Sequence, residues 1–431
     1  MNFREMYQRK VVTVDEALNQ IKSGQEIGCS LIGCEPVTML SQLHTIKDRV
    51  QDVSVFTALL SNEYEFFMNP EMRGHFTLNS WFYTTGARKA HANGTVSFIP
   101  LELHRAISCR TAFRKPDIFL GCASPMDQHG YLSLSIDSVC EKELAELADT
   151  VIIEVNPNFP RSFGDTHIHI SEIDYIIETD RELPVIPEAT FSEKEKVIGE
   201  YVADLIEDES TLQIGFGNIP LAVTSCLKNK KDLGVHSELF SEGLLDLYEA
   251  GAITNRKKTI WKDKFVADCA IGSKRLYDFL DNNMAVEFQR GSIVNDPMII
   301  GRNHKMVAIN SALEIDLTGQ CCAESIGFRH YSGTGGQKEF VQGVQYSPGG
   351  KSIIAFLSTA RNDTISHIVP ILTHGAAVTT SRVDVDYVVT EYGVASLRGR
   401  SIKERIKELV NIAHPNFRDF LRSEADRSQI W

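Results

Sequence analysis

Short apolar segments alternate with helix-patterned segments along most of this chain, and the alternation limits the folds that the chain can adopt. In the first half, apolar runs bounded by Pro, Gly and Asp occur at residues 96–99, 117–122, 131–135 and 151–155. Residues 141–148 have the spacing of an amphipathic helix. Strands that alternate with helices form largely parallel sheets with helices on both faces. The pattern therefore predicts an α/β fold.

The second half shows the same alternation. Apolar residues at positions 198, 201, 202, 205 and 206 predict a helix, and a late amphipathic helix is predicted at about residues 401–413. Between them, apolar runs occur at residues 212–214, 266–271, 306–309, 353–357 and 387–389. Residues 182–190 separate the halves with a Pro-punctuated stretch that has no periodicity. Because 431 residues are too many for one ordinary core, we predict two domains, residues 1–186 and 187–431.

Composition narrows the possible functions. The net charge is -13, whereas a chain that binds nucleic acid or an anionic membrane needs a basic surface. The nine cysteines are scattered without metal-binding spacing, which is typical of free thiols in a reducing compartment. The N-terminus lacks an apolar signal segment, and no run of about 18 apolar residues could span a bilayer. We expect a cytoplasmic protein without metal, nucleic-acid or membrane partners.

Residues 212–220 (LQIGFGNIP) are a first candidate site, because an apolar run ends there in a Gly turn before a helix-patterned segment. Such strand ends hold ligands in open α/β sheets. A dinucleotide fingerprint is weakly supported, since its third Gly is missing and Pro220 stands at the predicted helix start. The turn can supply N–H groups to an anion or oxyanion, and a purely structural turn remains equally open.

Residues 236–238 (HSE) follow the next short apolar run. Adjacent residues cannot form a Ser-His-acid triad, whose members converge from different parts of a fold. Glu238 could be a nucleophile, a general base or a helix-capping carboxylate, and Glu242 is even better placed for capping. Residues 332–337 (SGTGGQ) are a Gly-rich turn that either reverses the chain or lets a ligand approach the backbone. Residues 64–68 are predicted to be part of a loop over the ligand crevice, where they could set acyl-chain length, and a packed surface loop remains equally open.

Several motifs together resemble the acetyl-CoA hydrolase/transferase family, over about residues 24–418. They are residues 215–220 (GFGNIP), 235–243 (VHSELFSEG), 332–337 (SGTGGQ), 388–395 (VVTEYGVA) and 397–399 (LRG), with 127–131 (DQHGY) and 295–297 (NDP). The likeness is greatest to the branch of 4-hydroxybutyrate and butyryl-CoA:acetate CoA-transferases. It implies two similar open α/β domains of the CoA-transferase (NagB/RpiA-like) fold, with the active site between them.

The resemblance implies that Glu238 is the catalytic nucleophile, because it occupies the Glu of the family's H-[ST]-E motif. One departure concerns position 242, where the family more often has Asp than Glu. Another CoA-transferase branch carries its nucleophile in an S-E-N-G motif, so that residues 241–243 (SEG) make Glu242 a rival. The residue-by-residue match favours Glu238.

The resemblance also implies which residues surround the nucleophile. The Gln213 side chain and the backbone of Gly215 and Gly217 would form the oxyanion side. The Gly335-Gly336 turn would approach the thioester or pantetheine of CoA. The residues expected to contact CoA are Gly215, Gly217, Asn218, Gly335 and Gly336.

The implied activity is CoA transfer between a short-chain acyl-CoA and a free carboxylate, 4-hydroxybutyrate or butyrate with acetyl-CoA. It would proceed by ping-pong chemistry through a glutamyl-CoA thioester, with acyl-CoA as substrate and no permanently bound cofactor. A homodimer is expected as the commonest oligomer. One alternative is an acyl-CoA hydrolase that admits water to the same intermediate. A remote alternative is a non-catalytic ligand sensor, which needs no carboxylate at the strand end.

Overall fold

The protein is described by a computed structural model that covers residues 2–186 and 190–430. It divides into two compact units, Met1–Ile186 with Val266–Ile293, and Pro187–Phe265 with Val294–Trp431. The predicted domain boundary falls at residues 187–189, which lie outside the described residues, and it stays a prediction. Residues 266–293, placed in the second domain by the sequence analysis, group with the first unit.

The first unit is built on a seven-stranded sheet in which all neighbouring strands are parallel. The strands are β1 (Glu26–Cys29), β2 (Val53–Thr57), β3 (Phe76–Ser80), β4 (Val96–Phe98), β5 (Ile118–Ala123), β6 (Thr150–Val155) and β7 (Tyr175–Glu178). Their order across the sheet is β4-β3-β2-β1-β5-β6-β7. The short strand Tyr131–Ser133 lies outside this sheet and pairs with His167–His169 in antiparallel fashion.

Helices connect the first six of these parallel strands in sequence, whereas the segment between β6 and β7 contains the strand His167–His169 and a 3-10 turn. The helices of the first unit are Phe3–Lys10, Val14–Leu18, Val37–Gln42, Glu65–Met68, Thr85–Ala90, Ala106–Phe113, Glu141–Leu147 and Lys274–Leu280. The predicted helix at residues 141–148 is therefore present. Thr13 and Glu16 form a capping box that begins the helix Val14–Leu18.

Residues 64–68 differ from the prediction of a loop over the ligand crevice. Residues Glu65–Met68 form a short helix, and the side chains of Tyr64, Phe66 and Phe67 are buried in the core of the first unit. Phe66 and Phe67 are at most 1% exposed, and the two rings pack edge to face. These aromatic side chains are too irregularly spaced for a helical or strand period, yet burial of their area stabilises the core. Their side chains therefore lie in this core and are not exposed on a loop.

The second unit contains a six-stranded sheet. Its strands are β8 (Thr211–Ile214), β9 (Gly234–Val235), β10 (Met306–Asn310), β11 (Lys351–Ala355), β12 (Tyr387–Thr390) and β13 (Gly393–Ser396). The order is β9-β8-β10-β11-β12-β13, and only the β12–β13 hairpin is antiparallel. The helices are Glu193–Leu205, Asn218–Cys226, Glu242–Glu249, Pro297–Ile300, Gln337–Tyr346, Ile402–Ile412 and Pro415–Ser428. The predicted fold class of two open α/β domains is confirmed.

Candidate active site

Two neighbouring strand ends in the second unit carry the candidate residues. Strands β8 and β9 are parallel, with Leu212 opposite Val235, so the turn after Ile214 and the segment after Val235 leave the sheet at the same edge. The Ser237 hydroxyl lies 3.4 Å from both the N–H and the carbonyl oxygen of Ile214. This side chain therefore ties the segment that carries Glu238 to the end of β8.

The Glu238 carboxyl group is held by two donors from distant parts of the chain. Asn295 Nδ2 donates to Glu238 Oε2 at 3.1 Å, and the backbone N–H of Gly336 donates to the same carboxyl group. Glu238 as a residue is partly exposed, whereas its carboxyl group is surrounded by protein atoms. Hydrogen bonds to a carboxylate fix its direction and satisfy part of its hydration. A fixed and partly dehydrated carboxylate is suited to nucleophilic attack.

The electrostatic environment of Glu238 opposes ionisation. Burial raises the pKa of Glu238 to about 7, and the charge of Glu339 adds to this effect. The hydrogen bonds from Asn295 and Gly336 act in the opposite direction and lower the pKa. Only the deprotonated form attacks a carbonyl carbon, so the reactive form of Glu238 predominates above about pH 7. A carboxylate with a raised pKa is also a stronger nucleophile than an ordinary one.

Gly336 is a glycine because the Glu238 carboxyl group occupies the space of a side chain. A Cβ at position 336 would lie less than 3.0 Å from both Glu238 Oε2 and Asn295 Nδ2. The preceding Gly335 has a φ of 52°, in the left-handed region that glycine favours. The structure therefore places Gly336 beside the predicted nucleophile. Its role toward CoA stays a prediction.

Asn295 is positioned by the chain on either side of it. Asp296 accepts from the backbone N–H of Met298 at 2.7 Å and caps the helix Pro297–Ile300. The carbonyl oxygen of Val294 accepts from His236 Nε2 at 2.8 Å. Asn295 itself is fully buried. The backbone on both sides of Asn295 is therefore fixed, and its Nδ2 reaches Glu238 from there.

His236 is a structural residue of the site. It is fully buried, and its pKa is lowered to about 3, mainly by burial and further by the charge of Lys258. The ring is therefore neutral at physiological pH and cannot donate a proton as imidazolium. Lys258 Nζ donates to the carbonyl oxygen of Val235 at 2.6 Å, which fixes the end of β9 immediately before His236.

The predicted oxyanion residues occupy the end of β8. Gln213 is 4% exposed, and its side chain exchanges hydrogen bonds with the carboxamide of Asn310 at 3.1 and 3.4 Å. Gly217 has a φ of 127° and precedes the helix Asn218–Cys226. Because Gly217 has no side chain, none caps the first turn of this helix. Helix N–H groups at such a position can bind a developing oxyanion.

Glu242, the rival nucleophile, is the first residue of the helix Glu242–Glu249. A carboxylate in the first helical turn interacts favourably with the helix dipole. The donors Asn295 and Gly336 contact Glu238, four residues earlier. The geometry favours Glu238 as the reactive carboxylate.

The sequence analysis assigned no role to two residues that act on Glu238. Asn295 belongs to the NDP motif of residues 295–297, but its contact with a residue 57 positions away has no local signature. Glu339 follows the Gly-rich turn in the first turn of the helix Gln337–Tyr346. The motif 332–337 indicates only a Gly-rich turn, and nothing in it indicates a second carboxylate near Glu238.

Within residues 2–186 and 190–430, no group of three or more His, Cys, Asp or Glu side chains is arranged to hold a metal ion. In the same part of the chain, no helix is both long enough and apolar enough to cross a bilayer.

The chain matches two family models that together cover most of its length. The N-terminal domain model of acetyl-CoA hydrolase/transferase matches residues 1–187, and the C-terminal domain model matches residues 272–425.

Relatives and solved structures agree with these models. The 4-hydroxybutyrate coenzyme A transferase of Clostridium kluyveri is 42% identical, over 98% of this chain and 99% of the relative. The crystal structure of RipA from Yersinia pestis superposes with a TM-score of 0.95, at 34% identity and full coverage of both chains. The structure of 4-hydroxybutyrate CoA-transferase from Porphyromonas gingivalis gives a TM-score of 0.85, at 36% identity, with 99% of this chain and 100% of that chain covered. Acetyl-CoA hydrolases match at lower identity. This chain belongs to the acetyl-CoA hydrolase/transferase family.

Proposed function

We propose that this protein is a CoA-transferase that moves CoA between a short-chain acyl-CoA and a free carboxylate. The observation that carries the proposal is the Glu238 carboxylate, which Asn295 and Gly336 hold at the end of two adjacent parallel strands. Full-length relatives named as CoA-transferases for 4-hydroxybutyrate and for butyrate with acetate support the substrate class. We propose acetyl-CoA with 4-hydroxybutyrate or butyrate as the reacting pair.

The proposed reaction has two halves. A Glu238 oxygen attacks the thioester carbonyl, the C–S bond breaks, and CoA leaves as the thiolate, so that Glu238 becomes an acyl-glutamyl anhydride. The thiolate then attacks the Glu238 carbonyl carbon, and the free carboxylate of the first acyl group leaves. An incoming carboxylate reverses both steps. Each attack creates an oxyanion, for which we propose Gln213 and the N–H groups of Gly215 and Gly217 as donors.

Hydrolysis is the second candidate, because the same intermediate yields free acid and CoA if water attacks it. Acetyl-CoA hydrolases belong to the same family but are more distant relatives of this chain. The two activities are separated by one measurement, the ratio of butyryl-CoA to free CoA formed from acetyl-CoA and butyrate. Transfer predicts mainly butyryl-CoA, whereas hydrolysis predicts mainly free CoA.

The covalent intermediate is the direct test of the proposal. Borohydride reduces a glutamyl thioester to an alcohol, so the protein is incubated with acetyl-CoA, treated with borohydride, digested and analysed by mass spectrometry. A reduced residue at Glu238 supports transfer through this carboxylate. Reduction at Glu242 would reassign the nucleophile, and no reduction in protein that binds CoA would contradict the covalent mechanism.

Asn295→Ala is expected to lower kcat without unfolding the protein. The substitution removes the donor 3.1 Å from Glu238 Oε2. Without this donor the carboxylate is no longer held in one direction, and a misplacement of about 1 Å costs about 100-fold in rate. The measurement is kcat for CoA transfer, with thermal unfolding as the control for folding. A wild-type kcat in a folded variant would exclude this role of Asn295.

We also propose a homodimer that works in the cytoplasm. All nine cysteines are free thiols, which supports a reducing compartment. The side chains of Ile326, Phe328 and Ile371 are 57%, 80% and 67% exposed, and the Phe328 ring packs against His374. Exposed apolar clusters of this kind are typical of subunit contacts.

Light scattering tests the dimer. We expect a mass of two chains for the wild type and a weaker dimer for Phe328→Ser, because this change removes apolar area from the cluster. Phe113→Ser is the matched control, since Phe113 is equally exposed on the first unit. A monomeric wild-type protein would contradict the proposal.

A further inference from the structure

A second carboxylate lies one helical turn from the glycine that contacts Glu238. Gly336 donates its N–H to the Glu238 carboxyl group and immediately precedes the helix Gln337–Tyr346. Glu339 is in the first turn of this helix, three residues after Gly336, and is 1% exposed. The Glu339 side chain is therefore buried within one helical turn of the backbone N–H that contacts Glu238, and its charge acts on Glu238.

The two donors to Glu238 and the groups near the end of β9 differ from Glu339 in charge. Asn295 and Gly336 are neutral donors, and the His236 ring is neutral because burial lowers its pKa to about 3. The Lys258 ammonium group is held by the carbonyl oxygens of Val235 and Lys264, at 2.6 and 2.7 Å. The charge of Glu339 acts on Glu238 and raises its pKa, in addition to the larger effect of burial.

We propose that Glu339 is a positioning residue that acts through Glu238, by raising the free energy of the Glu238 carboxylate and thereby favouring acylation of this side chain. The inference rests on the proposed function, because only a nucleophilic Glu238 gives Glu339 this role.

The charge balance of the reaction explains the effect. When Glu238 attacks the thioester, its negative charge passes to the CoA thiolate as the C–S bond breaks. When the thiolate attacks the Glu238 carbonyl, the charge leaves with the released acid. Glu238 is neutral in both the anhydride and the thioester, so the repulsion from Glu339 exists only before acylation and after the thioester is consumed. Acylation of Glu238 relieves this repulsion, so the charge of Glu339 favours both covalent intermediates over the free carboxylate.

The same electrostatic free energy governs protonation and acylation, because each removes the charge of Glu238. A change of one pKa unit corresponds to a tenfold change in an equilibrium constant. If Glu339 loses its charge, the pKa of Glu238 and the equilibrium constant for thioester formation must fall by matching factors. A residue with a purely structural role would not produce this correlation.

The test uses Glu339→Gln, which removes the charge and keeps the shape. Two quantities are measured in the full-length protein, the pH profile of kcat/KM and the thioester fraction by intact mass at pH 8.5 with a fixed ratio of acetyl-CoA to acetate. In the wild type we expect kcat/KM to fall below about pH 7. We call this fall the acidic limb of the pH profile. In the variant we expect the acidic limb about one pH unit lower, and an equilibrium constant for thioester formation about tenfold smaller.

Glu195→Gln is the matched control. Glu195 also lies in the first turn of a helix in the second unit, Glu193–Leu205, and is 8% exposed. Its capping box with Ser192 tolerates Gln, so we expect a wild-type pH limb and thioester constant. Glu339→Asp keeps the charge, so the acidic limb and the thioester equilibrium constant should both stay closer to the wild-type values than those of Glu339→Gln. If Glu339→Gln does not fold, Glu339→Ala removes the same charge and carries the same two expectations.

The possible outcomes separate this inference from the function itself. If the wild type forms the thioester, and the variant keeps both the wild-type limb and the wild-type constant, the inference is wrong and the transferase proposal stands. A uniform loss of rate without a shift of the limb would likewise overturn it, since that result indicates structural damage. A wild type that forms no thioester would contradict the proposed function.

Discussion

Glu238→Gln should lower the rate of CoA transfer by at least about 10⁴-fold, because the substitution replaces the nucleophilic oxygen while it keeps the size of the side chain. The Gln side chain can still accept from Asn295 Nδ2, so the strand end should remain folded. The measurement is the rate of butyryl-CoA formation from acetyl-CoA and butyrate. Thermal unfolding close to that of the wild type would confirm that the loss is chemical.

Glu242→Gln is the control for this experiment. It makes the same chemical change four residues later, at the first position of the helix Glu242–Glu249. We expect transfer close to the wild-type rate. If Glu242→Gln is inactive and Glu238→Gln is active, the nucleophile is Glu242. If both variants keep full activity, neither carboxylate is the nucleophile. A folded wild-type protein that binds CoA but transfers none would instead favour the non-catalytic sensor.

The strand ends of the site could be predicted from sequence because their signals are local. The apolar run before Gly215 and the one before His236 correspond to β8 and β9. The carboxyl ends of parallel neighbours lie at one edge by geometry. The contact of Glu238 with Asn295 could not be predicted in this way, because it depends on how the chain folds across 57 positions.

Local structure differs from the sequence interpretation at two places, although Tyr131–Ser133 is a strand as predicted. Residues 64–68 show neither the helical nor the strand period of apolar residues. Such a period arises when one face is buried and the other is exposed, whereas here all the aromatic side chains enter the core of the first unit. Tyr131–Ser133 has the apolar pattern of a sheet strand, but the chain reverses before it, where Asp127 accepts from the N–H groups of His129 and Tyr131. That turn directs the segment into a separate antiparallel pair.

Gly336→Ala should lower CoA transfer by about 10²-fold or more. The backbone at Gly336, with φ −85° and ψ 4°, is open to alanine, so the substitution itself causes little strain. The new Cβ would lie less than 3.0 Å from Glu238 Oε2 and Asn295 Nδ2. Relief of this overlap moves the carboxylate by about 1 Å, and a misplacement of that size costs about 10²-fold in rate.

Gly251→Ala provides the opposite test. Gly251 has a φ of 78° at the end of the helix Glu242–Glu249, and a Cβ there would have no neighbour within 4 Å. Alanine in this conformation costs about 1–2 kcal/mol of stability but leaves the site untouched. We therefore expect Gly251→Ala to unfold at a lower temperature with normal kcat, and Gly336→Ala to lose kcat with a smaller change in unfolding temperature.

If Gly336→Ala keeps wild-type kcat, the close approach of Gly336 to Glu238 does not determine the position of the nucleophile. Loss of activity in Gly251→Ala would show that backbone strain alone can inactivate the enzyme.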